Sequence, residues 1–137
     1  MNNKRIKRPQ AQKGKISPST SHKKPPDQLP PLFSLRHTST KYCISKCDKT
    51  EKAAFADKLH RLSQVSWAQL RQQPRHGLGY EKITRDAITP GIPSHIKEDV
   101  QFIAFRFDGM KPMVGYREGE VFHIIWFDRN FKVYPHG

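Results

Sequence analysis

Apolar and aromatic positions crowd toward the carboxyl end of the chain. Four short runs, Phe102–Phe107, Met113–Arg117, Val121–Phe127 and Phe131–His136, are rich in Phe, Ile, Val, Tyr and Trp. Turn residues separate them: Asp108-Gly109 with Pro112 following, Gly119-Glu120, and Asp128-Arg129-Asn130. Short β-rich runs punctuated in this way predict an antiparallel meander. Gly119-Glu120 suits a two-residue turn with glycine in the first central position, which pairs Glu118 with Val121 and Tyr116 with His123. A turn at Glu118-Gly119, or a three-residue loop, would shift the pairing by one residue and exchange the two faces.

Earlier in the chain the pattern changes period. Leu32–His37 alternates, with Leu32, Ser34 and Arg36 against Phe33, Leu35 and His37, and predicts a first strand. Tyr42, Cys43 and Ile44 either extend it or form a second short one. Asp48-Lys-Thr-Glu51 has the form of a capping box, a short acceptor followed three residues later by Glu. Ala53, Ala54 and Ala56 favour helix, and Phe55, Leu59 and Leu62 make an apolar stripe, so a helix is expected over Lys49–Ser63. Ser66-Trp-Ala-Gln69 is a second capping box, and Pro74 stops the short helix that carries Trp67 and Leu70. Pro74–Gly91 predicts a loop-rich bridge. Its Gly77-Leu-Gly79 lacks the strand and third glycine of a dinucleotide fingerprint. Ile92-Pro93 and Ser94–Asp99 lead into the meander.

One N-terminal strand, two helices, then an antiparallel β-meander packed on the helices is an α+β architecture. Its expected core is Leu35, Phe55, Leu59, Leu62, Trp67, Leu70, Ile103, Phe105, Ile124 and Trp126, large enough for a domain of about 100 residues.

Charge changes the picture next. The 137 residues carry a net +13. Residues 1–30 contribute eight Lys/Arg against Asp27 alone, and the rest of the chain is basic in its own right. Met1–Pro31 holds six of the eleven prolines with Lys, Ser and Gln and few residues that could be buried, so residues 1–31 are expected to be a disordered basic tail and 32–137 a single domain. Such a charge footprint favours RNA, DNA or the ribosome as partner over a membrane. Cys43 and Cys47 are too few for a disulfide scaffold, and no second Cys/His pair completes a zinc site. Acidic residues show no clustered ligand pattern, so no metal and no cofactor is expected. No apolar run reaches the ~18 residues of a membrane span and the basic N-terminus has no apolar h-region, so the expected location is the cytoplasm.

Tyr116-Arg-Glu-Gly-Glu-Val-Phe-His-Ile-Ile-Trp-Phe-Asp128, followed by Phe131-Lys-Val-Tyr-Pro-His136, is similar to the C-terminal sheet of the RelE/ParE-type toxin superfamily. There a strand ends in Arg before a Gly-acidic turn, a basic and aromatic strand runs to Asp, and a last strand closes near a His. The order of elements over Leu32–Gly137 resembles that family as well. Arg117 stands where the family has its pre-turn arginine, His123 near a basic position that is usually Arg, and His136 at the terminal His. Gly77-Leu-Gly-Tyr-Glu81 looks like a loop that carries a carboxylate in some ribosome-dependent members. The resemblance implies cleavage of mRNA by its own 2′-hydroxyl, at the ribosome, by a protein held in check by an acidic antitoxin.

That reaction needs a base, an acid and preorganised cations. The catalytic candidates are Arg106 and Arg117 for the phosphate, Glu81 or His123 for the proton, and His136 to supply or accept one. Lys82, Arg85 and Lys132 are candidate phosphate contacts, and Tyr116 and Tyr134 candidate stacking platforms for bases. Each has a plainer role open to it. Arg106 fits an outward position on a half-buried strand, Arg117 a turn flank, His123 a buried structural histidine, Glu81 a surface pair with Lys82 or Arg85. Two other functions fit the same composition: a non-catalytic RNA- or ribosome-binding module, and a protein-interaction domain that offers a sheet edge.

Overall fold

The computed structural model describes residues 24–136. Two helices pack on one face of a five-stranded sheet of order β1-β5-β4-β3-β2. The strands are β1 (Leu32–Ser34), β2 (Tyr80–Ile83), β3 (Phe102–Asp108), β4 (Lys111–Glu118) and β5 (Val121–Phe127); the helices are α1 (Lys49–Leu62) and α2 (Trp67–Arg71). The α+β order of strand, helices and sheet is therefore present.

Both capping boxes form. Asp48 accepts from the Glu51 N–H at 2.7 Å while Glu51 accepts from the Asp48 N–H at 2.8 Å, and Ser66 and Gln69 do the same at α2. These exchanges satisfy backbone donors that no intrahelical carbonyl can reach. Trp67 then ties α2 to the rest. Its backbone N–H donates to Leu29 O at 3.1 Å, and its indole N–H donates to Glu120 O in the β4–β5 turn at 2.9 Å.

The β4–β5 hairpin has the register that the Gly119-Glu120 turn predicts, with Glu118 opposite Val121 and Tyr116 opposite His123. Gly119 sits at φ 62°, where a side chain would be strained. Further along, the register shifts between Val114 and Gly115. One extra residue in β5 puts Ile125 and Trp126 on the same side, as a bulge does. Phe122, Ile124 and Phe127 face the helices with Ile103, Phe105, Phe55, Leu62 and Trp67. Ile125 and Trp126 join Phe102, Val114 and Tyr116 on the other face. Ile83 of β2 lies on that second face too, and Ile96 and the chain end at Val133 and Tyr134 cover it, so the central strands are buried on both sides.

Four expectations are corrected. Phe131–His136 is not a strand: the Asp128 carboxyl captures the backbone N–H groups of Lys132 and Val133 at 2.7 and 2.9 Å, which removes them from any ladder and folds the chain back over the sheet. Tyr80–Ile83, expected within a loop, is an edge strand antiparallel to β3. The sheet is mixed, because β1 is only three residues long and runs parallel to β5. Within the expected core, Leu35 is 42% exposed, since β1 ends at Ser34; Leu59 is half-buried against the helix-side cluster and Trp126 belongs to the opposite one.

Most of the expected disordered tail lies outside the described residues. Its described end, from residue 24, is packed: Asp27 pairs with Arg71 and Arg117, and Pro31 is buried. The ordered domain thus starts before Leu32. No helix among the described residues is long and apolar enough to cross a membrane.

Gly115 is the tightest point of the sheet. A Cβ there would lie 1.8 Å from His123 O, a backbone atom that cannot rotate away. Gly115→Ala is expected to cost about 3 kcal/mol or more, read as a drop in the urea midpoint; a midpoint within error of wild type would contradict this packing.

Candidate functional site

The end of the sheet where β2 stops supplies the open chemistry of the molecule. The pairing of β2 with β3 ends at Tyr80 opposite Phe105, so Arg106, one residue on, extends past the edge strand. A cleft of about 200 Å³ forms there, lined by Arg75, Glu81, Arg106, Met110, Tyr134, Pro135 and His136. Four elements far apart in sequence meet at it: the loop after α2, β2, β3 and the chain end.

Asp128 positions the last of these. It is fully buried and fixes Lys132 and Val133 through the hydrogen bonds given above. Its Oδ2 lies 3.5 Å from His136 Nε2, a contact that is an ion pair only while the imidazole is protonated. Phe131 is driven into the left-handed region at φ 58°, an outlier for a bulky aromatic. Its ring then meets His136 edge-on with centroids 5.0 Å apart, and Tyr134 lies on the imidazole at 4.2 Å. His136 is held between two aromatics beside an acidic group, with its side chain about a quarter exposed.

Glu81 closes the floor of the cleft. One of its oxygens accepts from the Tyr134 hydroxyl at 2.9 Å, and the other pairs with Arg75 at 2.7 Å. Burial, and then the hydrogen bond to Glu81, push the Tyr134 phenol well above its ordinary pKa, so it stays a neutral donor. Arg106 forms no ion pair among the described residues and lines the cleft. The cleft thus combines two guanidinium groups, one carboxylate and one imidazole within an opening that reaches solvent.

Four residues singled out in the sequence converge here: Glu81, Arg106, Tyr134 and His136. The others lie elsewhere. Arg117 is on the helix-covered face, where it stacks over the Trp67 ring at 4.5 Å, pairs with Asp27 at 2.6 Å and donates to Gly119 O; it is a structural clamp on the hairpin turn. His123 shares the sheet face of the cleft but sits at the other end of the sheet, in register with Tyr116 and Ser34. It stacks on Tyr116 at 4.9 Å and contacts Glu118 at 3.1 Å. Tyr116 is itself buried in the second core cluster and offers no free face to a base. Arg85 is spent on the carbonyls of Lys97 and Ile96. Lys82 points to the helix side with Tyr80 and Arg117 around a separate depression. Lys132 is exposed at the surface, and its backbone, rather than its ammonium, does the work seen here.

Two members of the site were not singled out beforehand. Arg75 lies in the loop-rich Pro74–Gly91 bridge, where nothing local sets it apart from the other basic residues, His76, Lys82 and Arg85. Asp128 is marked in the sequence as a turn residue and as the Asp at the end of the strand in the resemblance, but nothing in a single sequence marks a carboxyl that folds a chain end back on itself. Among the described residues, no group of three or more His, Cys, Asp or Glu is arranged to hold a metal ion. Comparison with protein-family models, curated proteins and solved structures finds no match for this chain.

Asp128→Ala leaves one buried and one partly buried N–H group without an acceptor. Each such loss costs about 1–3 kcal/mol, so the variant is expected to lose about 2–5 kcal/mol in urea unfolding, and the close contact between His136 and Tyr134 should vanish from NMR spectra. Wild-type stability with that contact retained would contradict the role given to Asp128.

Proposed function

We propose that this protein is a metal-independent endoribonuclease that cuts mRNA, at the ribosome, in the manner of the toxins its C-terminal half resembles. The observation that carries the proposal is the convergence of Arg75, Arg106, Glu81 and His136 in one open cleft on an otherwise basic protein.

The chemistry follows from the groups available. A carboxylate such as Glu81 takes the proton of a ribose 2′-hydroxyl. The 2′-oxygen then bonds to the adjacent phosphorus as the bond from phosphorus to the 5′-oxygen breaks. His136 gives a proton to that leaving oxygen, and the contact with Asp128 at 3.5 Å holds the imidazole in place for the transfer. The products are a 2′,3′-cyclic phosphate and a 5′-hydroxyl. Arg106 and Arg75 face the charge that builds on the phosphorane-like transition state, usually the largest single contribution in such sites. Glu81 starts out paired with Arg75 and bonded to Tyr134, so a phosphate that draws Arg75 toward itself also frees the base. An enzyme of this kind needs restraint in the cell, and an acidic antitoxin protein is the partner that its surface charge would attract. An mRNA substrate places it in the cytoplasm.

The engaged state of Glu81 also favours a second reading, in which the cleft grips RNA without cutting it. The two separate on one experiment: induced expression with growth measurement and transcript-end mapping. Wild type is expected to arrest growth and generate new ends. Arg106→Ala and His136→Ala should each lower cleavage by about 10²-fold or more, while His123→Gln, altered at the far end of the sheet, should remain active. Unchanged cleavage in both cleft variants would overturn the catalytic assignment. Salt-dependent RNA binding with no cleavage by wild type would leave the binding module.

A further inference from the structure

Arg106 borders a second cavity besides the cleft. This one encloses about 300 Å³ between α1, the loop after α2 and the β3–β4 turn. Its charged and titratable lining is Asp57, Lys58, Arg61, His76, Arg106 and Asp108. Asp108 is partly engaged by Lys111 at 3.8 Å. The Lys58 ammonium is the unusual member.

Lys58 is only 6% exposed, on a helix whose other buried positions are mainly apolar. Its Nζ donates to a single acceptor, Gly77 O at 2.9 Å. An ammonium has three donors, and no carboxylate pairs with this one among the described residues. Burial, and then repulsion by Arg61 and Arg106, lower its pKa to about 8. A buried cation with two more cations nearby is costly, and neither Asp57 nor Asp108 of the same lining pairs with it among the described residues. An anion entering the cavity would relieve that cost and take up the spare donors.

We propose that this cavity is a second phosphate subsite, in which Lys58, with Arg61 and the shared Arg106, holds a neighbouring phosphodiester of the RNA strand whose scissile phosphate lies in the cleft. The inference rests on the functional reading above, since it takes the ligand in both cavities to be one strand. Arg106, as the wall common to the two, contacts the backbone on both sides. The subsite contributes grip and register, and the bond-breaking groups remain in the cleft.

The ligand for the test is a fully 2′-O-methylated single-stranded RNA, which cannot be cut by its own 2′-oxygen, so binding is read apart from turnover. Lys58→Met keeps the side-chain length and removes a buried charge. Arg61→Ala, at an exposed helix position, guards against any loss of fold. Wild type is expected to bind with strong salt dependence. Lys58→Met should bind roughly tenfold more weakly, with a slope of log K against log salt shallower by about 0.7, the value for one phosphate contact on a single strand; Arg61→Ala should change in the same direction. Wild-type affinity should fall as the pH rises through about 8, where the free protein loses the Lys58 proton. The Lys58→Met affinity should lack that step, although His76 and the other lining groups are still present. Wild-type affinity and slope in both variants would overturn the subsite while leaving the cleft assignment standing. Failure of wild type itself to bind at low salt would overturn the functional reading, and this inference with it.

Discussion

A single buried carboxyl organises the candidate site of this molecule. Asp128 ends the most deeply buried strand and has no exposed surface. A group so placed must be met by donors, because a buried polar atom without a partner costs more than a typical hydrogen bond returns. The donors at hand are the next backbone N–H groups in the chain, those of Lys132 and Val133. Accepting them bends the last residues over the sheet instead of letting them pair at its edge. Val133 and Tyr134 then seal the second core cluster, Phe131 takes an unfavourable backbone conformation, and His136 comes to rest against the same carboxyl that began the sequence of events.

The sheet makes this arrangement stable by being covered on both sides at its centre and open at one corner. Helices α1 and α2 cover one face, fastened by Trp67 and by the stack of Arg117 on its ring. The loop from β2 to β3 and the chain end cover the other. Where the pairing of β2 with β3 ends, Arg106 extends past the edge strand and lines the cleft with Arg75, Glu81 and His136. The bulge in β5 serves the same division. By turning Ile125 and Trp126 to one side, it places both in the second core and returns Phe127 to the helix-side one. Position and chemistry are thus linked: the residues that close the core at one end leave its polar groups gathered at the other.

Much of the scaffold was legible in the sequence because its signals are local. Capping boxes at Asp48 and Ser66, the stop at Pro74 and the glycine turn at Gly119 each depend on residues a few positions apart, and each appears as expected. What depends on distant partners was not legible. Tyr80–Ile83 is too short and too polar to declare itself a strand; pairing with β3 makes it one. Phe131–His136 has the composition of a strand, yet Asp128 takes its N–H groups. For the site, Glu81, Arg106, Tyr134 and His136 were marked by residue type, while their meeting required the fold-back. Arg117 and His123 were marked by the same logic and carry structural duties, because a guanidinium over an indole and an imidazole on a buried tyrosine look identical to catalytic groups when read along the chain.

The central claim is that the cleft beside Asp128 breaks an RNA backbone with side chains alone. It is tested most directly by incubating purified protein with a single-stranded RNA in excess chelator and identifying the new termini. The account predicts cuts that leave 2′,3′-cyclic phosphates and 5′-hydroxyls, and no cuts when the attacking 2′-oxygens are methylated. Termini bearing 3′-hydroxyls, cleavage that vanishes with the chelator, or intact RNA alongside translating ribosomes as well as free in solution would contradict it.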